Sequence, residues 1–145
     1  MQTIAAMIDY EDSPAAMDWL CRAFGFEERA RLLEPDGRLS YGELTYSGER
    51  ILLASPSPEY RSPRSRRAQD ERERRLAELP WVIDGILVYA EDADAHHAQA
   101  LAAGATILSA PSDEGVGRPY RTEDLEGHRW MFLESSADVA FEPGE

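Results

Sequence analysis

The sequence predicts an α+β protein: tandem βαβββ modules forming an open, cupped, mixed eight-stranded sheet with the helices outside. Three observations predict it. Each half holds one helical pattern among short apolar runs of strand length. Each helix begins at an aspartate and stops at a glycine, Asp12 to Gly25 and Asp92 to Gly104. The halves also keep register. Glu11-Asp12 matches Glu91-Asp92 eighty positions on, and Gly25/Gly104, Tyr41/Tyr120 and Gly48-x-Arg50/Gly127-x-Arg129 match at seventy-nine. Neither half has the residues to close a core alone, so the two pair into one domain.

In order, Gln2 to Ile8 reads as a strand, and Asp12-Ser13-Pro14 opens a helix with Ala16, Met17, Leu20 and Phe24 at helical spacing. Phe26 to Leu33 is a strand, Glu34-Pro35-Asp36-Gly37 a turn, and Leu39 to Tyr46 a strand. Ser47-Gly48 reverses the chain into Arg50 to Ala54. The pattern resumes with a strand from Val82 to Ala90, a helix from Asp92 to Gly104 and a strand from Ala105 to Ser109. A Gly-rich turn at Glu114 to Gly117, a strand around Tyr120 to Thr122, a turn at Asp124 to Gly127 and a last strand from Arg129 to Leu133 complete it. The modules are therefore Met1–Ser55 and Trp81–Ser135, with a linker at 56–80 and a tail at 136–145. Seven arginines against five acids leave the linker at +2, and it reads as a surface segment ending in a solvated helix.

Composition narrows the chemistry. The 145 residues are 43% hydrophobic and carry a net charge of −13, which repels nucleic acid and anionic membranes. No apolar run approaches the roughly 20 residues of a membrane span, and the N-terminus lacks a basic-then-apolar pattern, so a cytoplasmic protein is expected. All 15 basic residues are arginine, which excludes Schiff-base catalysis and a P-loop lysine. Cys21, His96, His97 and His128 are the whole stock of soft metal ligands. His96 and His97 are adjacent on a helix, diverge by about 100°, and read as outer-surface residues. His128 reads as a turn residue, Cys21 as a small apolar group, and Trp130 as packing between sheet and helix.

Two phrases carry a family likeness. Ala16-x-x-Trp19-Leu20-x-x-Ala23-Phe24-Gly25-Phe26 resembles the first helix and its exit in the vicinal oxygen chelate superfamily, which includes glyoxalase I, bleomycin-resistance proteins and extradiol dioxygenases. Thr122-Glu123-Asp124-Leu125-Glu126-Gly127-His128-Arg129-Trp130 resembles its final turn and strand, with Leu125 in place of the usual proline. The resemblance implies a homodimer, a small-molecule partner, and, in metal-dependent members, ligands on the first and last strands of each module. The matching positions here are Ala5, Leu52, Gly85 and Met131, which cannot hold a hard cation, so no metal or other cofactor is expected.

Strand alternation then selects the cup lining. Met7, Asp9, Leu87 and Tyr89 share a face with Ala5 and Gly85, and Leu52 and Met131 lie beside them. Tyr41, Glu43, Tyr120 and Thr122 are further inward candidates. The ligand-binding set is Met7, Asp9, Tyr41, Glu43, Leu52, Leu87, Tyr89, Tyr120 and Met131, with no catalytic residue identified. This is the profile of a small-molecule pocket, and the surplus of acids favours a cationic or aromatic compound. The expectation is a glyoxalase/bleomycin-resistance-like binding protein. A metal-dependent lyase, isomerase or dioxygenase with an unorthodox ligand set including Glu43 is the alternative, and a regulatory or subunit role stands third.

Overall fold

A computed structural model describes residues 2–79, 84–115 and 117–136. The first module runs β1 (Ala6–Asp9), α1 (Ser13–Phe24), β2 (Glu27–Leu33), β3 (Leu39–Tyr46) and β4 (Glu49–Ala54). The connection holds α2 (Pro63–Gln69) and α3 (Glu71–Leu76). The second module follows as β5 (Gly85–Tyr89), α4 (Ala93–Ala102), β6 (Thr106–Ser109), β7 (Gly117–Glu123) and β8 (Arg129–Ser135). The expected start of the fifth strand at Val82 and the tail beyond Ser136 lie outside the described residues. No helix among the described residues is long and apolar enough to cross a membrane.

The eight strands form two open four-stranded mixed sheets in the order β1-β4-β3-β2 and β5-β8-β7-β6. Both repeat one topology: the first strand pairs in parallel with the last, and every other ladder is antiparallel. Local chemistry explains the elements. The Asp12 carboxylate accepts from the Ala15 amide at the start of α1, and Gly25 ends the helix at φ 80°. Ser47 and Gly48, at φ 49° and 82°, make the two-residue hairpin whose twist suits the strands it joins.

One core serves both modules. Leu20, Phe24 and Ala100 from α1 and α4 are fully buried against Ile8, Leu44, Ile51, Trp130 and Phe132 from the two sheets. The Phe24 ring lies 4.8 Å from Phe132 and 5.3 Å from Trp130. Gly42 admits Met17, since a Cβ there would stand 2.7 Å from its Sδ. Hydrogen bonds latch the modules at two places. At one, the buried Asp124 carboxylate accepts from the Tyr10 hydroxyl at 2.6 Å and from Trp130 Nε1 at 3.0 Å. There too the Glu126 carboxylate accepts from the Glu11 and Asp12 amides. At the other, Trp19 Nε1 donates to the Ala103 carbonyl, and His96 reaches the Phe24 carbonyl at 2.8 Å.

His96 therefore departs from the surface position expected of it. It is buried on the inner side of α4, its ring 4.0 Å from that of Phe132. A carbonyl can only accept, so Nε2 carries the proton and Nδ1 accepts from the Tyr120 hydroxyl at 2.5 Å. Burial holds the His96 pKa below the ordinary histidine value, partly offset by the Phe24 carbonyl. The unfolded chain thus binds the proton more readily than the folded one. The stability contributed by neutral His96 is complete above about pH 6.5 and is lost as the pH falls through that value. Thermal unfolding of the native chain should lose stability progressively as the pH falls below about 6.5. His96→Ala should cost about 2–4 kcal/mol at pH 8 and flatten that slope; an undiminished slope in the variant would assign the loss to other groups.

Candidate ligand-binding cup

Each sheet has one face under the helices and one turned away from them, and strand alternation decides which side chains reach each. On β1, Ile8 is buried while Met7 is 82% exposed. On β4, Ile51 and Leu53 are buried and Leu52 points the other way. The ladders align a row across the open face of the first sheet, Met7–Leu52–Glu43–Ala30. The second sheet carries the corresponding row Leu87–Met131–Arg121–Ser109. Tyr41 lies on the same face as Glu43, Asp9 on that of Met7, and Tyr89 on that of Leu87, with Tyr89 54% exposed.

Tyr120 faces the other way. It pairs with Phe132, is fully buried beneath α4, and spends its hydroxyl on His96. Burial pushes its pKa well above the ordinary tyrosine value. The cause is a one-residue difference between the hairpins. Eight residues separate the facing pair Glu43 and Leu52, but nine separate Arg121 and Met131. The last strands are therefore related by seventy-nine positions and the preceding strands by seventy-eight. Tyr120 corresponds to Gly42, Thr122 joins it on the helix side, and Arg121 takes the place of Glu43. A slip of one residue inverts every side chain of a strand.

Residues of β1 and β5 face a common cleft between the sheets. A cleft of about 310 Å³ there is lined by Met7, Asp9, Gly85, His128 and Arg129, with Tyr60 from the connecting segment at its rim. His128 fixes backbone, its Nε2 lying 2.8 Å from the Asp9 carbonyl oxygen, and Trp130 packs on the helix side. Toward the other end of β1, a cleft of about 500 Å³ is lined largely by apolar groups including Ile4, Phe26, Ile86 and Val88.

Charges on the open face are closed into pairs. The buried Glu43 carboxylate lies 3.0 Å from Arg50 and 3.9 Å from Arg29. Glu123 is held by Arg67 at 2.7 Å and Arg129 at 3.0 Å. The net charge of the chain consequently does not translate into an acidic cup: Glu43 is neutralised, and Asp9 is the remaining carboxylate of the expected set. The pairing also ties the connecting segment to the second module, while α3 is exposed along its length, as expected of a solvated helix. Arg67 donates to the Gly127 carbonyl, Arg64 Nη2 to the Asp124 carbonyl, and Arg129 to the Ala77 and Leu79 carbonyls. Asp70 breaks the expected helix in two by capping α3.

The resemblance implies metal-ligand positions at Ala5, Leu52, Gly85 and Met131, three of which lie on the described strands. Leu52 and Met131 lie centrally in their rows, with Gly85 at the start of β5, and the set offers only a soft thioether. Glu43, the acid nearest to them in the ladder, is occupied by Arg50.

Residues 5–132 match the model of the Glyoxalase/Bleomycin resistance protein/Dioxygenase superfamily. An uncharacterized protein of Mycobacterium bovis is 30% identical over 130 residues, 89% of this chain and 80% of that protein. Among solved structures, TioX from Micromonospora sp. ML1 superposes with a TM-score of 0.67 at 24% identity, covering 94% of this chain and all of that one. TnmS3, an antibiotic binding protein from Streptomyces sp. CB03234, gives 0.61 at 18% identity with the same coverage. FosX, a fosfomycin resistance protein from Listeria monocytogenes, gives 0.64 at 13%, covering 96% of this chain and 97% of that one. At these identities the structural likenesses establish the fold.

Because Glu43 is buried and Arg50 half-exposed, removing either partner should be unequal in cost. Arg50→Met leaves a buried carboxylate without its nearest cation and should cost about 2–4 kcal/mol, against about 1–2 for Glu43→Gln. Denaturant unfolding of both variants and the double variant should return a favourable coupling of about 1 kcal/mol or more. Strict additivity would mean that the pair contributes nothing.

Proposed function

Because the chain belongs to the glyoxalase/bleomycin resistance protein/dioxygenase superfamily, we propose that it is a small-molecule-binding protein of the bleomycin-resistance kind. It sequesters a planar aromatic compound on the open face of its sheets, and does so without a metal. The observation that carries this reading is the apolar character of a face turned away from the core. Met7 with Leu52 and Leu87 with Met131 lie on the faces turned away from the helices, and Tyr41 and Tyr89 share those faces, 37% and 54% exposed. Contiguous apolar surface of this kind marks a ligand or partner site. Tyrosine faces favour flat rings, at about 0.5–1.5 kcal/mol for each well-stacked pair. The antibiotic-binding title of TnmS3 is consistent with such a use of the fold.

Pairing of Glu43 with Arg50 makes the aromatic body, more than a cationic group, the defining feature of the ligand. Asp9 supplies a polar edge. The donor set argues against metal chemistry, since a dication among Leu52, Met131 and Gly85 would lose hydration with nothing to replace it. A second copy of the chain covers the open face in a homodimer, which also removes the exposed Met7 and Leu87 from water.

A thermal-shift panel tests this directly. Planar aromatic compounds should raise the melting temperature by several degrees at saturation, as expected for a ligand that binds only the folded state. Leu52→Asp and Met131→Asp should each abolish the shift while leaving the circular dichroism spectrum intact. Light scattering should give twice the mass of one chain, and elemental analysis of protein purified without added ions should find divalent metal far below one per chain. Stoichiometric zinc, nickel or iron would overturn the metal-free reading and favour an enzyme, and a shift indifferent to both substitutions would remove the ligand from this face.

A further inference from the structure

The two modules place opposite charges at the same position of the open face. Glu43 follows Leu52 in the row of the first sheet, and Arg121 follows Met131 in that of the second. Their situations differ. Glu43 is buried and closed by Arg50 at 3.0 Å, so it offers an incoming molecule little. The Arg121 side chain is about one-third exposed (34%), and it pairs with the Glu114 carboxylate at 3.6 Å, a loose and partly exposed ion pair that an incoming carboxylate can replace.

Beside it lies an unused donor. Ser109 on β6 is the direct ladder partner of Arg121, so the two side chains share a face with Cβ atoms about 5 Å apart. The Ser109 Oγ is buried and finds no hydrogen-bond partner among the described residues. An orphaned buried hydroxyl is costly, and a nearby acceptor would satisfy it. A guanidinium with a serine hydroxyl at the facing ladder position suits a planar oxyanion that displaces Glu114 and reaches beneath the arginine, because Arg presents a fork of N–H groups to two oxygens.

We infer that Arg121 and Ser109 form the anchor for a carboxylate-type anionic group on the aromatic ligand. This rests on the open face being the ligand site. Two strand spacings, about 10 Å, separate Leu87 from Arg121, so a bicyclic ring system over Leu87 and Met131 brings its acid to the anchor. The ligand class is thus an aromatic acid, even though the whole chain is strongly acidic.

Calorimetric titration with 2-naphthoate and its neutral counterpart 2-naphthamide tests the anchor on the intact chain. The native protein should bind the acid about tenfold more tightly than the amide, as one charge-assisted hydrogen-bonded contact implies. Arg121→Gln should reduce that ratio to about one without changing the affinity for the amide, and Ser109→Ala should weaken the acid alone by about threefold. Equal affinity for the two probes, or a preference that survives Arg121→Gln, overturns the anchor and leaves the cup reading standing. Binding of neither probe by the native protein overturns both.

Discussion

Most of this molecule depends on one buried carboxylate. Asp124 is fully buried, and four donors meet it: the Tyr10 hydroxyl, the Trp130 indole, and the backbone amides of Glu126 and His128. Taking a carboxylate out of water is expensive unless its lone pairs are all satisfied, and here hydrogen bonds accomplish this without a cation. Two of the donors fold the β7–β8 turn upon itself. Tyr10 belongs to the first module, just beyond β1, so the same group that shapes the turn also fixes the modules against each other. The juxtaposition of β1 and β5, and with it the cleft between the sheets, follows from that contact. The turn also sets the register of β7 on β8, and so decides that Arg121 faces outward and Tyr120 inward.

The exclusive use of arginine has a structural counterpart. Arg129 donates at once to the Glu123 carboxylate and to two carbonyls of the connecting segment, and Arg67 bridges Glu123 and the Gly127 carbonyl. A lysine ammonium, a point charge on a flexible stem, would not span such divergent acceptors from one planar group. Ion pairs this deeply placed contribute less to net stability than to geometry, because desolvation offsets much of their attraction. Their effect is to hold the connecting segment against the rim of the open face, where Tyr60 also donates to the Asp9 carbonyl. The connecting segment is therefore a wall of the cleft as well as a tether.

The module plan was legible because caps, glycine stops and apolar periodicity agree in both halves, and each is local chemistry. The sheet face on which Met7, Leu52, Leu87 and Met131 lie was legible for the same reason, since β1, β4, β5 and β8 alternate without interruption. Tyr120 was not, because its orientation is set by one extra residue in a turn whose shape Asp124 determines through tertiary contacts. Arg121 and Ser109 were hidden by the same slip. Counting residues between the facing partners of each hairpin, rather than matching tyrosines, is the signal that finds them. His96 was misjudged because an alanine-rich helix has only a faint apolar stripe, and nothing local reveals that the Phe24 carbonyl waits beside it. The ties from this highly charged linker were equally invisible, as Arg67 meets Glu123 56 residues away and the Leu79 carbonyl meets Arg129 50 residues away.

Methionine methyl resonances offer the most direct measurement. Met7 and Met131 lie on the open face of the two sheets, whereas Met17 is fully buried among α1, Leu39 and Gly42. Titration of ¹³C-methyl-methionine-labelled protein with a planar aromatic acid should move the Met7 and Met131 signals by ring-current shifts, saturating together, while Met17 stays in place. Shifts confined to Met17, or saturable binding that leaves Met7 and Met131 unmoved, would contradict a ligand site on this face.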